Sequence, residues 1–492
     1  MAELVNWLNG IIWSPALIFL ALGTGLYFSF ATRFLQLRHV KDMFSYLFGG
    51  DKSHQGLTSF QAFALAVSGR VGTGNIAGVA TAIAMGGPGA LFWMWVIAFV
   101  GAGSGFVEAT LAQIYKREVD GEFRGGPSYY IEKGLGIKWF AALFAVAMLI
   151  ATGLCLPGIQ ANSIVVATEE AFGIPRLTMG AVIVVLLSLI IFGGVKRIGR
   201  TAQYVVPIMA IGYILVALVV VGINITKVPE VFMLVVRSAF GADAAFGGIL
   251  GAAISMGVKR GIYSNEAGQG TAPMAAATAV VDHPAKQGLV QAFSVYFDTW
   301  LVCSATGFMI LVSGLYNVSN GADGFIIENL PGTPDGPIYT QMAVDSVLPG
   351  FGSAFVAVAL FFFAFTTLMA YYYYAETNVA YLIKSPVTRW RSILAVRVIF
   401  LGITLYCSVN TADLAWALGD VGVGLTAWLN FIAILLLQKP ALECLRDYER
   451  QQKQGLDPVY RPLEMGHDNA NYWIARNEEA EAEPERVAVG ER

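Results

Sequence analysis

Four cysteines in 492 residues, Cys155, Cys303, Cys407 and Cys444, are too few and too scattered for a disulfide framework, and none is spaced as a CxxC metal site. Histidine is equally scarce. His39, His54, His283 and His467 all fall in stretches that read as polar loops or tail, which argues against a histidine proton relay inside an apolar span. Charge is sparse, with Asp, Glu, Lys and Arg making up 13% of the chain and a net charge of −3. No basic cluster interleaved with aromatics occurs, so nucleic acid is not an expected partner. Residues 1–32 contain no Lys or Arg, so the basic start of a cleaved signal peptide is missing and the first apolar run reads as a retained helix. A His/Cys/carboxylate cluster and a nucleophile elbow are also lacking. Neither an enzyme nor a resident cofactor is expected.

What the chain has in abundance is apolar sequence: 56% hydrophobic, in runs that recur from residue 11 to 437. This composition reads as an all-α polytopic membrane protein embedded in a lipid bilayer. At about 20 residues per crossing, the runs and turn signals predict eleven transmembrane helices. They lie near 11–31, 58–83, 88–114, 138–168, 177–195, 201–224, 245–280, 287–315, 352–383, 392–408 and 412–437. Basic residues cluster after alternate spans: Arg33, Arg38, Lys41 and Lys52; Lys116, Arg117, Arg124 and Lys133; Lys196, Arg197 and Arg200; Lys286; Lys384, Arg389 and Arg391. The opposite loop from Asn317 to Gly352 has no base but carries Asp323, Glu328, Asp335 and Asp345. The positive-inside rule then puts the N-terminus outside and the C-terminus in the cytoplasm. From residue 439 the sequence turns polar and ends in an acidic run at 478–485, which reads as a disordered cytoplasmic tail, 439–492.

Two spans should not be continuous helices. In Ser68–Gly78, glycines stand at 69, 72, 74 and 78. In 245–280, glycines and polar residues from Gly247 to Gly270 interrupt an alanine-rich run. Glycine costs a helix interior up to about 1 kcal/mol relative to alanine, and backbone groups freed in lipid need partners. Five spans separate the breaks, dividing the chain into an extra N-terminal helix (1–33) and two units, 57–225 and 243–438, that enter from opposite sides. Such inverted repeats mark a secondary transporter with its site at the breaks. Gly72, Gly74 and Gly78 do not fit GxGxxG and lack a βαβ context, so no dinucleotide site is expected.

The stretches Gly72-Thr-Gly-Asn-Ile-Ala-Gly-Val-Ala-Thr-Ala-Ile-Ala-Met-Gly-Gly-Pro-Gly-Ala90, Ser264-Asn-Glu-Ala-Gly-Gln-Gly-Thr-Ala-Pro273, Phe365-Thr-Thr367 and Tyr373-Tyr-Ala-Glu376 resemble the alanine or glycine:cation symporters, also called sodium:alanine symporters. The resemblance runs from the first span to the last and leaves out the tail. It implies eleven helices with a leucine-transporter-like 5+5 inverted repeat, moving small neutral amino acids with sodium across a bacterial-type inner membrane. A proton-coupled carrier and a sodium symporter preferring glutamine are the alternatives. The family's usual Gly-Trp is Ala370-Tyr371 here, which alters the pocket wall.

On this reading Thr73, Gly74 and Asn75 hold the amino acid through freed backbone N–H groups and their side chains. Small residues can also serve as a packing groove, but that requires a continuous helix with glycines on one face. Resemblance places Gln160 and Tyr263 against the substrate, and Tyr371 shares a face with Thr367. Sodium wants hard oxygen ligands. Thr366, with Thr367 shared between cation and substrate, is expected to supply hydroxyls opposite carbonyls freed near Ala66, Val67 and Val71. Lys259 and Arg260 are expected to pair with a carboxylate, and Glu266 to answer such a base or cap the second half-helix. Glu108, Glu376, Asp420 and Arg397 are further ionisable groups at depth, and Arg70 with Asp298 is the candidate gate pair. A monomer is expected.

Overall fold

The computed structural model describes residues 2–48, 56–243, 245–321, 324–409 and 412–490; Lys52, His54 and Asp323 lie outside them. Helices dominate. Among the described residues, eight are long and apolar enough to cross a membrane, and the chain is a multi-pass membrane protein. Arg176–Ile191 and the halves of two broken helices are shorter. The only strands among the described residues form two small antiparallel hairpins, Arg117–Val119 with Glu122–Arg124 and Asn317–Ser319 with Phe325–Glu328.

The first broken helix begins with a capping box in which Thr58 and Gln61 satisfy each other's backbone amides, and it runs from Ser59 to Arg70. Val71 turns extended, at ψ 90°, and ends the helix. The chain resumes as a π-helical turn, Gly74–Gly78, and continues as Val79–Gly86. The second broken helix, Leu250–Asn265, stops where Glu266 adopts a left-handed conformation. Gly268 at φ 81° and Gly270 at φ 88° need the freedom only glycine has, and Ala272–Ala277 restarts the helix with Pro273 in its first turn.

Two unbroken spans also carry π-turns. Lys138–Ile150 passes through Ala151–Cys155 into Leu156–Phe172, and Pro284–Tyr296 passes through Phe297–Cys303 into Ser304–Ser313. Such turns shift side-chain register by part of a turn and recur at functional places. Here they precede Gln160 and contain Asp298.

The expected disordered tail is corrected by the structure. Gln438–Lys453 and Asn471–Gly490 are helical, and Tyr448, Tyr460 and Trp473 are buried. Aromatic residues spaced through an otherwise polar segment bury enough apolar area to offset ordering, which acidic composition at the far end obscured. The Trp473 indole donates to the Gln113 carbonyl at 2.7 Å, Lys116 lies over the Phe123, Tyr472 and Trp473 rings, and Arg476 pairs with Asp282. His39 and His283, at helix starts, and His467, in the tail itself, sit at the same junction and are buried there.

Candidate functional site

At the first break the freed amides are taken up by side chains. Gly72 N donates to Asn75 Oδ1 at 2.9 Å. Thr73 presents its amide and hydroxyl to one oxygen, Gln160 Oε1, at 3.1 and 2.9 Å. Asn75 then donates through Nδ2 to Asp298 Oδ1 at 2.7 Å, and Asp298 Oδ2 accepts from Ser264 and Thr299, each at 2.8 Å. One carboxylate thereby ties both broken helices to the π-turn of 297–303. Each member of this chain is buried, and Asp298 has the three donors an ionised carboxylate needs in a dry interior.

On the other side of the break, Thr367 Oγ1 lies 2.9 Å from the Ser68 carbonyl, 3.4 Å from that of Val71 and 3.0 Å from that of Phe363. Thr366 Oγ1 lies 3.0 Å from the same Phe363 carbonyl and otherwise faces Met209. The expected set therefore changes. Thr367 rather than Thr366 reaches the first broken helix, and the carbonyls opposite it are Ser68 and Val71. Ala66 lies inside the continuous helix, and Val67 O is occupied by the Val71 amide at 2.7 Å. Thr367 Oγ1 and three carbonyls converge where a small hard cation could take the place of the hydroxyl proton as their partner. Gly72 makes the approach possible: a Cβ there would stand 2.5 Å from Thr367 Oγ1 and 3.0 Å from Gln160 Oε1.

Tyr263 packs its ring on Gly74, where a Cβ would meet it at 3.0 Å, and its centroid lies 5.5 Å from that of Trp416. Tyr371 is buried, its ring 6.4 Å from Tyr374. Above the aromatic pair opens a cavity of about 780 Å³, lined by Ala77, Thr81, Arg260, Trp416 and Asp420 among others. Lys259 and Arg260 find the expected carboxylate: Asp420 binds them at 2.6 and 3.1 Å. Glu376 is held by Arg124 at 2.6 Å and Arg397 at 3.4 Å.

The proposed gate pair does not form. Arg70 donates to the Gln291 carbonyl and to Ser294, and no carboxylate oxygen lies within 4 Å of it among the described residues, since Asp298 is already engaged by three donors. Glu266 likewise forms no direct ion pair among the described residues and caps no N-terminus; its left-handed backbone ends the first half-helix. Glu108 instead accepts from the Gly268 amide at 3.2 Å and from Asn430 at 2.8 Å, clasping the second break. Sequence reasoning missed Asn430, Ser264, Thr299 and Trp416. An Asn or Trp in an apolar helix carries no signal of which break it will meet. Ser264 stood inside a quoted motif without a partner to give it a role. No group of three or more His, Cys, Asp or Glu side chains is arranged to hold a metal ion among the described residues.

The chain matches the model of the sodium:alanine symporter family over residues 1–462. It is 59% identical to YrbD of Bacillus subtilis (strain 168), over 99% of this chain and 100% of that protein. It is 53% identical to the sodium/proton-dependent alanine carrier protein of Bacillus sp. (strain PS3), over 86% of this chain and 95% of the carrier. Among solved structures it is similar to MhsT in complex with L-phenylalanine, with a TM-score of 0.55 at 15% identity, covering 80% of this chain and 97% of MhsT, a likeness of fold alone. With a match spanning every helix of the membrane region and the glycine-broken motifs at its centre, this chain belongs to the sodium:alanine symporter family.

Proposed function

We propose that the protein is a sodium-coupled symporter that imports small neutral amino acids, alanine or glycine first, by alternating access. The observation that carries this is the Thr367 hydroxyl set against the Ser68 and Val71 carbonyls, just before the Thr73 amide that meets Gln160. A cation among those carbonyls compensates their dipoles and holds the break in the shape that presents the Thr73 amide and hydroxyl. Gln160 Oε1 is an acceptor on both Thr73 donors, the position a substrate carboxylate oxygen would take by the same chemistry. Thr73, Gly74 and Asn75 then bind the substrate backbone, Gln160 swings to reach it, and Tyr263, Trp416 and Tyr371 wall its side chain. Sodium sits with Ser68 O, Val71 O, Phe363 O and Thr367 Oγ1. Because each ligand stabilises the same arrangement of the break, affinity is coupled and reciprocal.

In this reading the eleven helices form a leucine-transporter-like 5+5 repeat after one extra helix. The chain works as a monomer in the cytoplasmic membrane with its N-terminus outside. The 780 Å³ cavity, next to residues 334–336 and the start of the helix Pro337–Asp345, is the outer vestibule. The test is uptake of labelled alanine by reconstituted protein with sodium titrated and a panel of neutral amino acids competing. Sodium-dependent uptake blocked by alanine and glycine is expected. Unchanged uptake without sodium would defeat the mechanism, and glutamine as the strongest competitor would move the assignment to the glutamine-preferring alternative.

A further inference from the structure

The buried charges around the two breaks are unevenly paired. Glu376 and Asp420 each have basic partners. Glu108, Glu266 and Asp298 are each 0% exposed and share one base, Arg70. Because Arg124 and Arg397 are spent on Glu376 and Lys259 and Arg260 on Asp420, the shortfall is local: Arg70 answers at most one of these three carboxylates, and a sodium ion at Thr367 would answer another. Uncompensated charge is not sustainable in a dry membrane interior.

Hydrogen bonding singles out which carboxylate is left. Asp298 has three donors and Glu108 two, whereas neither oxygen of Glu266 has any hydrogen-bond partner among the described residues. Other buried polar atoms without partners converge on it. Tyr374 Oη and Glu266 Oε2 stand 2.8 and 3.2 Å from the point where a Cβ on Gly69 would lie, so both crowd one spot beside the first broken helix. The Thr271 hydroxyl lies beside the carboxylate. The charged and titratable groups facing Glu266 are Arg70 from the first broken helix, Glu108 from Gly89–Ile114, Asp298 from the π-turn, Tyr263 from its own helix, and Tyr371 and Tyr374 from Gly352–Leu382. Backbone strain points the same way: Glu266 holds φ 54°, a conformation glycine adopts at no steric cost, at a position two residues from a glycine.

We infer that Glu266, with Tyr374 Oη and Thr271 Oγ1, is the seat of a second monovalent cation, sodium or a proton, separate from the one at Thr367. The inference rests on the reading of the protein as a cation-coupled carrier. With the cation bound, Glu266 joins the second break to Gly69 of the first broken helix; once the cation leaves, the bare carboxylate favours hydration and separation of the two.

The test uses full-length protein in liposomes and measures alanine counterflow, the sodium Hill coefficient of uptake, and the response of uptake to an inward proton gradient. Wild-type protein that shows no sodium-dependent alanine uptake would defeat the functional reading itself. Given wild-type uptake, Glu266→Gln is expected to retain counterflow and lose one coupled cation. A Hill coefficient lower by about one identifies sodium, and loss of the proton-gradient response identifies a proton. Glu266→Gln that keeps both the Hill coefficient and the gradient response overturns the inference. Should that variant fail to fold, Glu266→Asp serves: a several-fold shift in half-saturating sodium or in pH response at an unchanged maximal rate supports the site, and no shift overturns it.

Discussion

Thr366 and Thr367 are neighbours, yet an α-helix turns by roughly 100° per residue, so only one can face the first broken helix. The structure gives that place to Thr367. Thr367→Ala is expected to raise the sodium concentration for half-maximal alanine uptake at least tenfold, about 1.4 kcal/mol of lost cation binding. Thr367→Ser should stay near wild type and Thr366→Ala should fall between; the sodium titration of uptake ranks them. Gly72→Ala is a steric test of the same spot. Its Cβ would have to displace Thr367 Oγ1 or Gln160, at an overpacking cost of about 1–3 kcal/mol. Loss of sodium-dependent uptake from protein that still inserts is expected, and wild-type uptake would show that the two side chains do not close on this backbone. At this scale the residue types were legible and their partners were not. Threonine pairs, an amide and glycines announce polar work in lipid, but which carbonyl a hydroxyl meets depends on the rotation of one helix against another.

The second break depends on a clasp from outside its own helix. Glu108 and Asn430, from two different spans, bind Gly268 through its amide and its carbonyl. Removing the acceptor leaves the buried Gly268 N–H unpaired and takes one of two acceptors from the Asn430 amide, at about 1–3 kcal/mol. Glu108→Ala should therefore lower the melting temperature of the purified protein clearly more than Glu108→Gln, which still offers an oxygen to Gly268. Equal melting temperatures would exclude the clasp. Both breaks could be read in the sequence because crowded glycines and polar residues contradict a continuous apolar helix. The π-turns at 151–155 and 297–303 could not, since they insert no glycine run and alter only the register of otherwise ordinary helices.

Across the whole molecule, the segment after residue 437 binds the ends of several spans. Asp447 meets His283 at 3.2 Å, Glu449 meets Arg38 and His39, and the Tyr460 amide donates to the Asp282 carbonyl at 2.9 Å. Burial disfavours the charged His283 imidazolium and outweighs the hydrogen bond to Asp447, so its pKa falls below the usual 6.5. Asp447 is pushed up by burial but lowered further by its hydrogen bonds from His283 and Gln451, ending below the usual carboxylate value of 3.8. For both groups the undocked segment binds protons that the docked one does not. Docking is therefore fully present above the undocked histidine pKa and weakens as pH falls below about 6.5. Hydrogen exchange across 439–481 should be slow at pH 7.5 and, after correction for intrinsic rates, less protected at pH 5.5. His283→Asn should flatten that upper part of the dependence; protection independent of pH would show that the contact is not linked to these groups.

By itself the sequence determined that this is an all-helical membrane protein, where two of its helices break, and to which family it is similar, because hydropathy, glycine crowding and long motifs are local properties of the chain. Only the tertiary structure decided that Thr367 rather than Thr366 meets the break, that Asp298 bridges both broken helices instead of pairing with Arg70, and that an acidic tail docks through its aromatics. Those outcomes turn on helix rotation, π-turn register and contacts between residues hundreds of positions apart, where the energy of a polar group is set by whichever partner packing brings within reach.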